Sequence, residues 1–149
     1  MLNVKRVESK AEFDDAYSIR IEVFVREQNV PEEIELDEFD KVADHVVVYL
    51  DNEAVGCGRL ILNGEKARIG RLAVLKKYRK SGIGRTICDE LMKIATEKGA
   101  NSFVLDAQVT AIGFYKKIGF VELGERFMEA GIEHIQMVKN NKALWEVEL

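Results

Sequence analysis

One stretch of the chain decides its fold, and it reads Lys76-Lys77-Tyr78-Arg79-Lys80-Ser81-Gly82-Ile83-Gly84-Arg85. It carries five positive charges and no acid, in a protein whose formal net charge is −4. Apolar residues follow at helical spacing, namely Ile83, Ile87, Leu91 and Ala95. A glycine-broken loop that enters a helix leaves backbone N–H groups without intrahelical partners, and the helix dipole favours an anion there. The stretch therefore predicts a pocket for phosphate or pyrophosphate.

The composition bounds the class of protein. The chain has 149 residues, of which 47% are hydrophobic and 32% charged, and this is typical of one compact domain spanning residues 1–149. Its net negative charge argues against general binding to nucleic acid or anionic membranes, because like charges repel. No apolar stretch approaches the ~20 residues that span a bilayer, and the first residues lack the apolar core of a secretory signal. We therefore expect a cytoplasmic protein that binds neither nucleic acid nor membrane.

The two cysteines carry little chemistry. Cys57 and Cys88 are too few and too far apart for a disulfide framework or a metal site. They fit reduced, buried thiols, and no histidine or charge pattern marks either one as a nucleophile. We therefore expect no bound metal.

The hydrophobic pattern predicts strands and helices along most of the chain. A strand at residues 4–7 precedes a helix that begins after Ser9, which forms a capping-box pattern with Glu12. The acidic segment, residues 28–44, holds the single proline and seven acids, so we expect a loop with at most one short helix. Further strands are expected at 45–50, 54–62, 67–75, 103–107, 120–123 and 134–138, with helices at 82–98 and 110–118.

Turns and one crossover fix how these strands pair. Asp51-Asn52 and Asn63-Gly64 predict tight hairpins between antiparallel neighbours. Gly70, inside the next strand, indicates a bulge or a close approach of backbone. A strand–helix–strand unit requires a parallel crossover. We therefore predict an α/β (α+β) protein with a mixed central sheet of about six to seven strands flanked by helices, and a ligand site at the carboxyl end of the strand before the glycine loop (residues 79–85).

Three motifs in order resemble the GNAT family of acyl-CoA-dependent N-acyltransferases. Residues 79–84 match the family's pyrophosphate loop, Gln/Arg-x-x-Gly-x-Gly/Ala. Residues 69–74 are similar to its pantetheine-binding strand, and residues 113–120 to its Phe-Tyr-x-x-x-Gly-Phe element. Three such motifs at family-like spacings are far more specific than one. The resemblance implies a GNAT fold over the predicted mixed sheet.

The flanking segments 23–31 and 130–137 resemble a narrower subgroup, the small ElaA-like or YjcF-like bacterial acetyltransferases. Together the matches cover most of residues 4–139. The chain departs from the pattern at Glu133, where we expect proline before the histidine, and at residues 108–110, where an asparagine-rich helix start is common. The departures leave cofactor binding intact but blur the acceptor site, and the subgroup brings no acceptor with it. Homodimers are common in the resembled family, so a homodimer is left open.

The resemblance implies acetyl-CoA, or coenzyme A, as the co-substrate. Its diphosphate would lie on the backbone of the glycine loop, and its pantetheine arm would pair with the strand before that loop. Tyr115 is the best candidate for the general acid that protonates the departing thiolate. Two alternatives stay open: it donates a hydrogen bond to the thiolate without releasing its proton, or it packs beside Phe114 with no role in catalysis. The implied cofactor residues are Leu72, Ala73, Val74, Arg79, Lys80, Ser81, Gly82, Ile83, Gly84, Arg85, Gln108, Phe114 and Tyr115.

The expected acceptor is a primary amine of a small molecule or a peptide, which attacks acetyl-CoA directly in a ternary complex. Such an amine is mostly ammonium at pH 7, so a base must first remove a proton. Glu27, Glu33, Asp37 and His45 are the candidates. We predict Glu27 as the base and the other three as acceptor-binding residues, although most of the acids fit solvated surface equally well. His45 and His134 both lie at strand starts, where a structural role is the simpler interpretation.

Two other functions fit parts of the pattern. A CoA-binding regulatory or interaction module that has lost catalysis would keep the same loop. A nucleotide phosphotransferase would need Lys-Ser/Thr after the glycines and metal-binding acids nearby, and the sequence offers neither convincingly. The tail, which holds Trp145, is predicted to dock on the surface or on a partner.

Overall fold

The computed structural model describes residues 1–140, and the predicted docking of the tail around Trp145 lies outside them. The strands are β1 (Leu2–Arg6), β2 (Asp44–Leu50), β3 (Glu53–Asn63), β4 (Lys66–Val74), β5 (Ser102–Gln108), β6 (Val121–Glu129) and β7 (Ile132–Asn140). The α-helices are α1 (Lys10–Arg20), α2 (Glu32–Glu35), α3 (Ile83–Glu97) and α4 (Ile112–Ile118). A π-helical segment, Ile21–Glu27, continues α1, and 3₁₀ turns cover Glu38–Lys41, Lys76–Tyr78 and Val109–Ala111.

Within residues 1–140 the seven strands form one mixed sheet, in the order β1-β2-β3-β4-β5-β7-β6. Neighbouring strands are antiparallel except β4 and β5, which are parallel and joined through α3. β4 and β5 pair only at residues 66–68 and 102–104 and then separate. In this part of the chain, the carboxyl half of β4 therefore has no strand on its β5 side. The predicted mixed sheet with flanking helices is confirmed.

Helices pack on both faces of the sheet. On one face, apolar side chains of α3 such as Ile87 and Leu91 pack with those of the strands and α4. Gly58 on β3 allows α3 to come close, because a Cβ there would lie 2.7 Å from Ile87 and 2.8 Å from Leu91. On the other face, Ala16 and Ile19 of α1 pack over β2, β3 and β4. The two cores fix the position of the glycine loop, which joins β4 to α3.

Local signals placed most elements within two or three residues, with three corrections. β6 ends at Glu129, six residues beyond the predicted 120–123, because its pairing with β7 resumes at Phe127 after an irregularity in register. The acidic segment forms two short helical pieces, α2 and the 3₁₀ turn Glu38–Lys41, where at most one was expected, because the Asp37 and Asp40 side chains cap the second piece. The second hairpin turn lies one residue later than predicted, since Asn63 pairs with Lys66. The bulge expected at Gly70 is present, and the next residue, Arg71, adopts φ +50°.

Candidate active site

An open cleft of about 1490 Å³ follows the gap between β4 and β5. The cleft brings together residues that are distant in sequence, from the carboxyl half of β4, the glycine loop, α4 and the end of β5. Of the predicted cofactor residues, those that line it are Leu72, Ala73, Val74, Arg79, Lys80, Gly82, Ile83, Gly84, Arg85, Gln108, Phe114 and Tyr115. Ser81 is not among the lining residues of the described chain. Its hydroxyl donates to the carbonyl oxygen of Tyr78 instead.

The start of α3 presents free backbone donors to the cleft. Gly82 is the N-cap, with φ +87°, a conformation that favours glycine. The first bond of the helix runs from the Thr86 N–H to the Gly82 carbonyl over 3.1 Å, so the three preceding N–H groups have no intrahelical partner. Gly84 lies against Phe114, because a Cβ there would be 3.1 Å from the ring. This geometry suits an anion held by main-chain amides.

Two residues predicted to act on the ligands bond to each other instead. Arg79 donates through Nη1 and Nη2 to the two carboxylate oxygens of Glu27, over 2.6 and 2.7 Å, and through Nε to the Val74 carbonyl over 2.9 Å. The hydrogen bond from Arg79 lowers the pKa of Glu27. A carboxylate with both oxygens engaged and a lowered pKa is a weak general base. The pair ties the π-helical segment to the end of β4.

Tyr115 lies on α4, at the inner wall of the cleft. Its ring packs edge-on against Phe114 and Phe120, with centroids 5.0 and 5.9 Å away. Burial raises the pKa of its hydroxyl, which forms no hydrogen bond with any residue between 1 and 140. Tyr115 is therefore a neutral donor that is held rigidly at the cleft and has a free O–H.

A buried network of charges fastens the acidic segment over the cleft. Arg20 is only 1% exposed, and it donates to Glu35 over 2.8 Å and to Asp40 over 2.7 Å. Arg59 on β3 also donates to Asp40, over 3.2 Å. Burial raises the pKa of the Glu35 carboxyl. Because removing one member would strand an uncompensated buried charge, the network is expected to hold this segment rigidly.

Only one of the three predicted acceptor residues reaches the cleft. Asp37 lines it and accepts from Arg59 over 2.7 Å and from Arg71 over 3.1 Å. Glu33 is exposed on α2 and does not line the cleft in the described structure.

His45 is the third, and it is a buried residue away from the cleft lining. Its Nε2 lies 2.9 Å from the Asp40 carbonyl oxygen, and its ring meets Phe13 edge-on. Burial lowers the pKa of this imidazole. The structure therefore gives His45 a packing role.

Two residues that support the cleft, Arg20 and Gln28, were not identified from the sequence. Arg20 had one available signal, since it falls on the same apolar stripe of α1 as Phe13 and Tyr17, where a charge requires a partner. Gln28 had none: its side-chain amide exchanges hydrogen bonds with that of Gln108, 80 residues away, over 2.8 and 3.3 Å. The pair closes the gap between the π-helical segment and β5.

The thiols and the possible metal ligands add no further chemistry to the described chain. Cys57 and Cys88 are buried, and burial raises the pKa of each thiol to about 12. Residues 1–140 contain no group of three histidine, cysteine or acidic side chains that could hold a metal ion. No helix in the same range is long and apolar enough to cross a membrane.

The comparisons with known proteins agree with this geometry. Residues 7–141 match the family model of the acetyltransferase (GNAT) domain. The chain is 43% identical over 133 residues to YjcF of Bacillus subtilis, named as an uncharacterized N-acetyltransferase, and the match covers 89% of this chain and 95% of that one.

Two solved structures show the same fold. Escherichia coli ElaA superposes with a TM-score of 0.83 at 25% identity, covering 94% of this chain and all of that one. A GNAT acetyltransferase of Elizabethkingia anophelis, solved with acetyl-CoA bound, superposes with a TM-score of 0.73 at 18% identity, covering 93% and 97% of the two chains. The predicted resemblance is confirmed, and this chain belongs to the GNAT acetyltransferase family of acyltransferases.

Proposed function

We propose that the protein transfers an acetyl group from acetyl-CoA to a primary amine by direct attack within a ternary complex. One observation carries the proposal, namely that the unpaired half of β4 leads to the free amides at the start of α3. An acyl-CoA has the matching parts, a pantetheine arm with amides and a diphosphate. The fold neighbour from Elizabethkingia anophelis, solved with acetyl-CoA bound, supports the same cofactor.

The cofactor would be held mainly by backbone. Pantetheine amides would pair with Leu72, Ala73 and Val74 as an added strand does. The diphosphate would accept from the N–H groups of residues 83–85, and each such anion–helix interaction contributes about 0.3–1 kcal/mol when exposed and about 2 kcal/mol when partly buried. Lys80 and Arg85, which line the cleft, would add charge. Arg79 would act indirectly, since Glu27 engages its guanidinium.

The chemistry needs an oxyanion donor and a donor to the leaving thiolate. A free N–H on the carboxyl half of β4 would polarise the thioester carbonyl. Tyr115 would supply its hydroxyl to the thiolate. In water, transfer from a phenol of pKa about 10 to a thiol of pKa about 8.5 is uphill by roughly 2 kcal/mol. Burial raises the pKa of Tyr115 further, so proton release requires the thiolate to be equally desolvated.

The acceptor would enter from the side of the acidic segment. Asp37 lines this end of the cleft and is the one predicted acceptor-binding acid that reaches it. Its carboxylate accepts from Arg59 and Arg71, which leaves a balanced polar surface there. Such a surface suits an amine that carries further polar groups. We assign Glu27 to positioning Arg79, in place of the base expected from the sequence.

A direct test is release of free thiol from acetyl-CoA with a panel of polyamines, amino sugars, aminoglycosides and peptide N-termini. Amine-dependent release, with matching N-acetylated product by mass spectrometry, is the expected result. CoA binding without turnover on the whole panel would favour the rival function, a silent CoA-binding module. Absence of CoA binding would contradict both.

A further inference from the structure

His134 occupies the acceptor side of the sheet. Leu105 and Ala107 of β5 and Ile135 of β7 belong to the core under α3 and α4. Successive side chains of a strand point to opposite faces, so Gln108 and His134 point to the other face, on the side of α1. The two are register partners on neighbouring strands, and both line the cleft.

The ring of His134 is fixed in one tautomer. Its Nδ1 lies 2.7 Å from the Ile132 carbonyl oxygen, and a carbonyl only accepts, so Nδ1 carries the hydrogen. In the neutral ring, Nε2 is then the nitrogen with a free lone pair. Phe127 of β6 stacks on the ring, with centroids 5.8 Å apart and planes at 21°. These contacts hold Nε2 in one direction.

Nε2 of His134 has access to the cleft. It bonds to no residue of the described chain, and the Glu129 carboxylate oxygen nearest to it in the ion pair lies 3.8 Å away, beyond hydrogen-bond distance. Among residues 1–140, Nε of Arg59 is the one fully enclosed side-chain nitrogen or oxygen that has no hydrogen-bond partner. Nε2 of His134 also has no partner but is not in that class, so it is accessible to solvent. Glu129 is the charged group that β6 presents to it, whereas β5 places the uncharged Gln108 opposite it.

Three acidic side chains at or beside the acceptor end of the cleft, Glu27, Glu35 and Asp37, are engaged by guanidinium groups. Glu27 is held by Arg79, and Asp37 by two guanidinium groups. Glu35 is buried with one oxygen 2.8 Å from Arg20 and 3.1 Å from Arg71. Each of the three carboxylates is therefore paired with at least one cation, whereas Nε2 of His134 bonds to no residue of the described chain.

We propose that His134 is the general base of the acetyl transfer, which rests on the proposed function. Nε2 accepts a proton from the acceptor ammonium, and the neutral amine nitrogen then forms a bond to the thioester carbonyl carbon. Collapse breaks the carbon–sulfur bond and releases the thiolate. Of the two protons that leave the nitrogen, one ends on the sulfur and the other passes from Nε2 to solvent, with the Glu129 carboxylate beside the imidazolium that forms.

The kinetic test compares His134→Gln with the wild-type protein on an amine that the panel identifies. We expect kcat/KM for the amine to fall about 10²–10⁴-fold near neutral pH, with KM for acetyl-CoA unchanged. The loss should shrink as the pH rises towards the pKa of the acceptor amine, about 10.4 for a lysine-type amine, because more of the amine is then already free. A purely structural role predicts a loss that does not depend on pH. His45→Gln, at the other histidine of the chain, is the matched control and should keep the wild-type pH profile.

A second measurement needs no turnover. Because the chain has two histidines, long-range ¹H–¹⁵N spectra of wild-type protein and His45→Gln assign the His134 ring directly. The Nδ1–H tautomer is expected, and the Nε2–H tautomer would overturn the proposal even if His134→Gln failed to fold. A rate loss under threefold, or one constant with pH, would also overturn it. A wild-type protein that acetylates no amine would refute the proposed function and this inference with it. If the wild-type protein does acetylate an amine, the Nε2–H tautomer or a rate loss that is under threefold or constant with pH would refute only the role of His134.

Discussion

Replacing Tyr115 by phenylalanine separates catalysis from packing at the inner wall of the cleft. The ring contacts with Phe114 and Phe120 are kept, since they involve no hydroxyl. The hydroxyl has no hydrogen-bond partner within residues 1–140, so its loss leaves no described group unsatisfied. We expect the free energy of unfolding to change by less than about 1 kcal/mol.

The catalytic effect should be far larger. Loss of a general acid typically costs 10²–10⁴-fold in rate, which corresponds to about 2.7–5.4 kcal/mol in the activation barrier. Because burial raises the pKa of Tyr115, the hydroxyl should stay protonated up to about pH 10, with no alkaline loss of rate from this group. Single-turnover thiol release and urea unfolding on the same sample measure the two effects.

Tyr49→Phe is the matched control for this substitution. The Tyr49 hydroxyl donates to Asp15 over 2.6 Å, away from the cleft. This variant should lose about 1 kcal/mol of stability and keep its kcat. If Tyr115→Phe retained kcat within threefold, the assignment of the hydroxyl to the leaving thiolate would be wrong. A large loss of kcat in Tyr115→Phe, together with no solvent isotope effect on kcat of the wild-type protein, would instead mean that Tyr115 donates a hydrogen bond and keeps its proton.

Three further predictions concern the cofactor loop and the charges. Gly84→Glu should weaken CoA binding at least about 100-fold by calorimetry, because it places a carboxylate at the helix start and bulk against a ring; unchanged affinity would argue against the loop. Arg20→Leu should lower the free energy of unfolding by about 3–5 kcal/mol, against less than about 1 for the exposed Arg68→Leu, and equal losses in urea unfolding would contradict the buried network. Burial lowers the pKa of His45, so below about pH 6.5 the unfolded chain binds a proton at this imidazole more readily than the folded chain does, and the free energy of unfolding decreases as the pH is lowered. His45→Gln should make this pH dependence less steep, and an unchanged dependence would mean that His45 is not its cause.

The elements that local chemistry determines were predictable from the sequence. Asp51 and Asn52 both adopt positive φ in their tight turn, and Gly119 ends α4 at φ +107°. Gly82 takes the left-handed conformation that opens α3. Each of these depends on the residue and its immediate neighbours, so a single sequence carries the information.

The pairing of charged side chains was not predictable in the same way. Glu27 and Arg79 are 52 residues apart, and each on its own suggested contact with a ligand. Arg20 and Asp40 meet only because the acidic segment folds back over α1. The side-chain partner of a charge depends on tertiary packing, which residue type and spacing do not encode. The same reason explains why the sequence favoured a structural role for His134, which lies beside Gln108 only in the folded sheet.

The central claim is that main-chain amides at the start of α3 hold the diphosphate of an acyl carrier. The most direct measurement is the change in amide ¹H–¹⁵N shifts of residues 82–86 during titration with coenzyme A and, separately, with pantetheine, which lacks the diphosphate. The claim predicts large shifts at these amides with coenzyme A and small ones with pantetheine. The claim would be contradicted if coenzyme A left the chemical shifts of these amides unchanged, or if coenzyme A and pantetheine changed them equally.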